Sequence, residues 1–99
     1  MPTYIMLSTL SPDGAARLVD YPDRLLEVNR EVESMGAKVL SQYAVLGQYD
    51  FVTILEAADE VAMSKVALQL AQRGTLKTLT LSAIPVERFV EEMRSLGQG

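Results

Sequence analysis

The two most strand-like segments of the chain carry no charge on either face. Tyr4, Met6 and Ser8 alternate with Ile5, Leu7 and Thr9, and Phe51, Thr53 and Leu55 alternate with Val52 and Ile54. Successive side chains of a strand point to opposite sides of its sheet. A sheet with one face in water shows an apolar/polar alternation, and its outer side chains are often charged. Here neither side is built for water, so both faces of the sheet must be covered. Ninety-nine residues make one domain with one core and little surplus. A second cover therefore has to come from the C-terminal segment or from another copy. The expectation is an isologous two-fold contact between like sheet faces.

The remaining elements follow from periodicity and stop signals. Strands are expected over 3–10, 37–46, 49–57 and 75–84. After the first strand, Ser11 and Pro12 suit an N-cap and a first helical position, with Gly14 weakening the opening turn. Leu25, Val28, Val32 and Met35 recur at helical spacing, with Leu26 widening the stripe. The first helix is thus long, with a break near Pro22, and stops at Gly36. Gly47 and Gln48 turn the second strand into the third. Asp59 caps a second helix with Ala62, Met63, Val66, Ala67, Leu70 and Ala71 on one side, and Gly74 ends it. Pro85 stops the fourth strand. Val86, Phe89, Val90, Met93 and Leu96 stripe a C-terminal helix within residues 85–99. The order β-α-β-β-α-β plus a helical tail is the α+β, ferredoxin-like plan with a four-stranded antiparallel sheet. Residues 1–99 read as a single such domain.

Composition excludes much chemistry. There is no Cys and no His. That leaves no disulfide, no thiolate nucleophile, no Cys-ligated metal and no Ser-His-Asp triad. No metal and no cofactor are expected. The net charge is −4 and the nine Lys and Arg are scattered, so neither nucleic acid nor an anionic membrane is an expected partner. No basic and apolar leader opens the chain, and the expected location is cytoplasmic.

Three stretches together resemble the GYD domain family: MPTYIMLSTL at the start, GQYDFVTILEA after the second strand and TLKTLTLSAIP before the tail. The family takes its name from Gly-Tyr-Asp; here Gln48 intervenes in Gly47-Gln48-Tyr49-Asp50. The resemblance covers about residues 2–86. It implies a dimeric α+β barrel, two ferredoxin-like sheets facing each other around a small lumen, and it implies no particular activity. The wider barrel group includes cofactor-free monooxygenases and isomerases, and also haem- and His-dependent enzymes whose sites this chain does not have.

Six residues are candidates for ligand contact: Tyr4, Tyr43, Tyr49, Asp50, Thr78 and Thr80. Tyrosine hydroxyls on a sheet face suit a phenolic or carbonyl ligand in a lumen, and Thr78, Thr80 and Ser82 can line the same space. Set against this, Tyr on a sheet is commonly core, and Asp50 can fasten a turn whose positive φ Gly47 supplies. In a regular strand Tyr49 and Asp50 point to opposite faces. The charges Arg24, Glu27 and Glu31 read as a solvated helix face. Two functions remain open. One is a homo-oligomeric barrel that binds a small apolar or aromatic molecule or serves as an assembly or regulatory module. The other is a cofactor-free enzyme, of monooxygenase or isomerase type, moving protons with Tyr and Asp.

Overall fold

A computed structural model describes residues 1–97. Its elements are β1 (Thr3–Leu10), α1 (Pro12–Asp20), α2 (Arg24–Ser34), β2 (Lys38–Ala44), β3 (Phe51–Glu56), α3 (Glu60–Gln72), β4 (Leu76–Ala83) and α4 (Val86–Gly97). The strands form one antiparallel sheet in the order β2-β3-β1-β4. This is the α+β ferredoxin-like arrangement. Local chemistry sets most of the boundaries. The Ser11 side chain accepts a hydrogen bond from the Gly14 N–H at 3.0 Å, and Pro12 opens α1. The Asp59 carboxylate accepts from the Ala62 N–H at 2.9 Å and starts α3. The expected break near Pro22 divides the first helical stretch into two helices, with Pro22 in the Tyr21–Asp23 joint between them.

Gly14 has a different role from the one its helix propensity suggests. It is buried, and a methyl built on it would stand 2.3 Å from the carbonyl oxygen of Thr75. The same oxygen accepts the Ser11 N–H at 3.0 Å. The missing side chain is what lets α1 lie against the entry to β4.

Register assigns every strand residue to a face. Tyr4 pairs with Leu55 and Ser82, Met6 with Thr53 and Thr80, and Ser8 with Phe51 and Thr78. These residues lie on the side of α2 and α3, and Tyr4, Met6 and Leu55 among them make the core with Val32, Met63, Val66 and Leu70. A polar chain crosses its edge: the Asn29 amide donates to Gln42 Oε1 at 2.7 Å, and the Gln42 amide donates to Thr53 Oγ1 at 2.9 Å. That chain gives buried Thr53 a partner, as a buried hydroxyl requires.

The opposite face carries Ile5 with Ile54 and Leu81, and Leu7 with Val52 and Leu79. Among the described residues no helix of the same chain packs there. Leu79 and Leu81 are 47% and 45% exposed. The C-terminal helix does not supply the cover: α4 buries no residue, and its apolar stripe, Val86, Phe89, Val90, Met93 and Leu96, is exposed throughout. Accordingly the molecule is long, 57 × 29 × 19 Å, with a radius of gyration of 15.6 Å. A packed chain of this length has a radius of about 13 Å.

Candidate functional site

The Gly47–Asp50 connection is built around Asp50. Gly47 has φ +115°, the left-handed region that glycine tolerates. Asp50 makes three bonds. Its N–H donates to the Ser8 carbonyl at 2.8 Å, and its carbonyl accepts the Val45 N–H at 2.8 Å. Its carboxylate Oδ2 accepts the Leu10 N–H at 2.8 Å. The β1–β3 ladder ends at Ser8 and Phe51, so Leu10 has no β3 residue opposite it. The Asp50 side chain takes the place of that missing strand partner. The bond therefore ties the β2–β3 connection to β1, forty residues away in sequence, rather than closing the hairpin on itself.

The alternation expected of Tyr49 and Asp50 in a regular strand does not apply, because β3 begins at Phe51 and both residues precede it. Tyr49 is half-buried. Tyr4 is 4% exposed and sits among core residues. Burial raises its hydroxyl above the usual tyrosine range, and the nearby charges of Glu60 and Asp59 add to the effect. Thr78 and Thr80 lie on the same helix-facing side as Tyr4. The Thr80 hydroxyl is buried without a hydrogen-bond partner among the described residues. Tyr43 pairs with Val52 on the other side and is 61% exposed. The six residues therefore do not share one space: Tyr4, Thr78 and Thr80 look to the helices, Tyr43 looks away from them, and Tyr49 and Asp50 stand in the connection.

A cleft that the sequence did not announce lies on the helix side. It measures about 460 Å³ and opens between α1, α2, the C-terminal end of α3 and the ends of β1, β3 and β4. Leu18, Leu25, Phe51 and Leu76 give it an apolar lining, and its only charged lining residues are Arg17, Arg24 and Arg73. Behind the mouth, Glu31 bridges two of them: Arg24 Nη1 reaches Glu31 Oε1 at 3.3 Å, and Arg73 pairs with Oε2. The hydrogen bond from Arg73 leads in holding the Glu31 carboxyl below the usual glutamate range, against a smaller opposing effect of burial. Arg24 also pairs with Glu27 at 3.5 Å on the same partly exposed face of α2, and Glu31 ties that face to the end of α3 through Arg73. Arginines in α1, in α2 and just past the end of α3 carry no spacing signal, which is why the sequence conceals them. Among the described residues no three carboxylates gather as a metal site, and no helix is long and apolar enough to cross a membrane.

Comparison with known proteins speaks to the family and the fold. The chain is 50% identical over 95 residues to the glutamine synthetase and cystathionine beta-lyase binding protein of Thermus thermophilus, covering 95% of this chain and all of that one. Among solved structures it is similar to FFRP-DM1, with a TM-score of 0.58, 19% identity, and coverage of 85% of this chain and all of that one. It is also similar to the leucine response regulatory protein (LrpA) of Mycobacterium tuberculosis. That match has a TM-score of 0.53 and 18% identity, and it covers 85% of this chain and 51% of the other. At such identities these two speak for the fold alone. The GYD domain profile matches residues 4–93, nearly the whole described chain, and the protein belongs to the GYD domain family.

Proposed function

We propose that this protein is a homo-oligomeric assembly module that binds and regulates metabolic enzymes, of the kind named for its Thermus relative. The observation that carries the proposal is a pair of uncovered apolar surfaces in one chain: the Ile5–Leu7–Leu79–Leu81 sheet face and the α4 stripe. A patch of this kind on a small chain is an association site. Fully burying an aliphatic side chain is worth about 1.5–3 kcal/mol. Several half-exposed ones on each of two like faces are enough to drive self-association. Two sheets face to face then form the barrel that the family resemblance implies, with each α4 free to pack on its partner. The assembled surface is what an enzyme would meet. Of the four candidate residues on strands, Tyr43 alone lies on the face that two copies would enclose, so a small apolar or aromatic ligand held in a lumen would meet Tyr43 and not Tyr4.

The enzyme reading needs a tyrosine hydroxyl and a carboxylate converging on one point. The support for it is weaker, since the Asp50 carboxylate is already committed to a backbone N–H and Tyr4 is enclosed. The test is direct binding. Calorimetric titration of the full chain into purified glutamine synthetase and into purified cystathionine beta-lyase is expected to give saturable binding to at least one. Absence of heat and of co-sedimentation with both enzymes at micromolar concentrations would refute the partner assignment.

A further inference from the structure

We infer that the arginine-rimmed cleft between α1, α2 and α3 is a binding site for an aliphatic monocarboxylate, a medium-chain fatty acid or a close relative. Its size falls among small-molecule pockets, which run from about 300 to 1,000 Å³. The cleft, at about 460 Å³, is unusual for the side of the sheet that holds the core. Protein interiors are packed to crystal-like density. Here Leu18, Leu25 and Leu76 stay only partly buried around open space beside buried neighbours such as Leu70. Gly14 in α1 and Thr75 at the entry to β4, which meet closely, line one side of this space. An apolar chain would fill the space that the protein's own side chains leave.

The mouth selects the head group. Every charged residue lining the cleft is an arginine, in a protein whose net charge is −4. Asp13, Glu27 and Glu31 pair with these arginines from outside the lining, so what the mouth offers an anion is guanidinium N–H donors rather than an excess of positive charge. Arg24 and Arg73 hold the Glu31 carboxylate between them, and Arg24 Nη1 also reaches Glu27 Oε1 at 3.5 Å. A guanidinium carries five N–H donors in a planar fork, so each retains donors for a further carboxylate. Arg17 is paired only with Asp13, at 3.0 Å, and both side chains are about two-thirds exposed or more. Such a pair is weak and easily exchanged. A carboxylate at the mouth with an aliphatic tail along Leu18, Leu25 and Phe51 satisfies both halves of the site. None of the six residues singled out in the sequence lines it.

The experiment is isothermal titration of the full chain, in its native assembly, with sodium dodecanoate below its micelle concentration. Dodecyltrimethylammonium serves as the control of opposite charge. One dodecanoate per chain is expected, with the cationic surfactant at least about tenfold weaker. Arg17→Gln and Arg24→Gln should each weaken dodecanoate, and Leu18→Glu should abolish it by placing a carboxylate in the cleft. Thermal unfolding of each variant separates lost binding from lost folding, and Arg17→Gln, at the surface, is expected to leave the melting temperature unchanged. Leu81→Lys, on the open sheet face, should leave dodecanoate binding intact. No dodecanoate binding, equal affinity for both surfactants, or binding that survives Leu18→Glu and disappears in Leu81→Lys would overturn the assignment. The last of these would put the surfactant on the sheet face instead.

Discussion

Asp50→Ala asks whether the residue that marks the family is a fastener. The Asp50 carboxylate accepts the Leu10 N–H at 2.8 Å, where the β1–β3 ladder has run out. Truncation leaves that donor without a partner in a half-buried position. An unmet buried donor costs about 1–3 kcal/mol, and the lower half of that range fits because water reaches Leu10 in part. Asp50→Asn keeps an acceptor oxygen and loses only the charge assistance, so about 0.5–1 kcal/mol is expected. For a domain of this size each kcal/mol moves the melting temperature by about 4–8 °C. Asp50→Ala should therefore melt about 4–15 °C lower, and Asp50→Asn less. The assay is thermal and urea unfolding at one fixed protein concentration, since self-association makes apparent stability depend on concentration. Amide exchange at Leu10 should accelerate in Asp50→Ala beyond the change at neighbouring β1 amides. If Asp50→Ala unfolds within about 0.5 kcal/mol of the parent, or Asp50→Asn is as damaging as Asp50→Ala, the hydrogen-bond argument is wrong.

Two further perturbations probe the helix layer. Gly14→Ala would gain about 1 kcal/mol of helix propensity, but its methyl meets the Thr75 carbonyl oxygen at 2.3 Å. That oxygen belongs to backbone already held by Ser11. Overpacking of about 1–3 kcal/mol should win, giving a lower urea midpoint; a raised midpoint would show that α1 can lift away. Glu31 has its folded-state pKa lowered, chiefly by its bond from Arg73, so its stabilising contribution is present above its ordinary value of 4.5. It is lost as pH falls below 4.5 and through the lowered folded-state value. Unfolding midpoints measured across that range should fall less steeply for Glu31→Gln than for the parent, and parallel curves would count against the bridge.

How much of this was readable in the chain depended on sequence distance. The Ser11 and Asp59 caps and the turn at Gly47 are local, and each acts on residues within three or four positions. They could be read directly. Asp50 was legible as a turn residue, yet its acceptor role toward Leu10 depends on strand order, which periodicity does not give. Gly14 looked like a poor helix residue because its reason, the Thr75 carbonyl, lies on another element. The alternation in β1 separates Tyr4, Met6 and Ser8 from Ile5 and Leu7. With no charge on either set, it could not say which set faces the helices. That is why Thr78 and Thr80 were grouped with Tyr43, from which the sheet divides them. The cleft needed three helices to be placed before Arg17, Arg24 and Arg73 came together.

The uncovered sheet face makes self-association the central claim, and light scattering on a size-exclusion column measures it directly. The parent chain at micromolar concentration is expected at twice its 10.9 kDa mass or a higher even multiple, and Leu81→Lys, which puts an ammonium into the apolar face, is expected to lower that mass. A parent chain that elutes and scatters as a 10.9 kDa monomer would contradict the account.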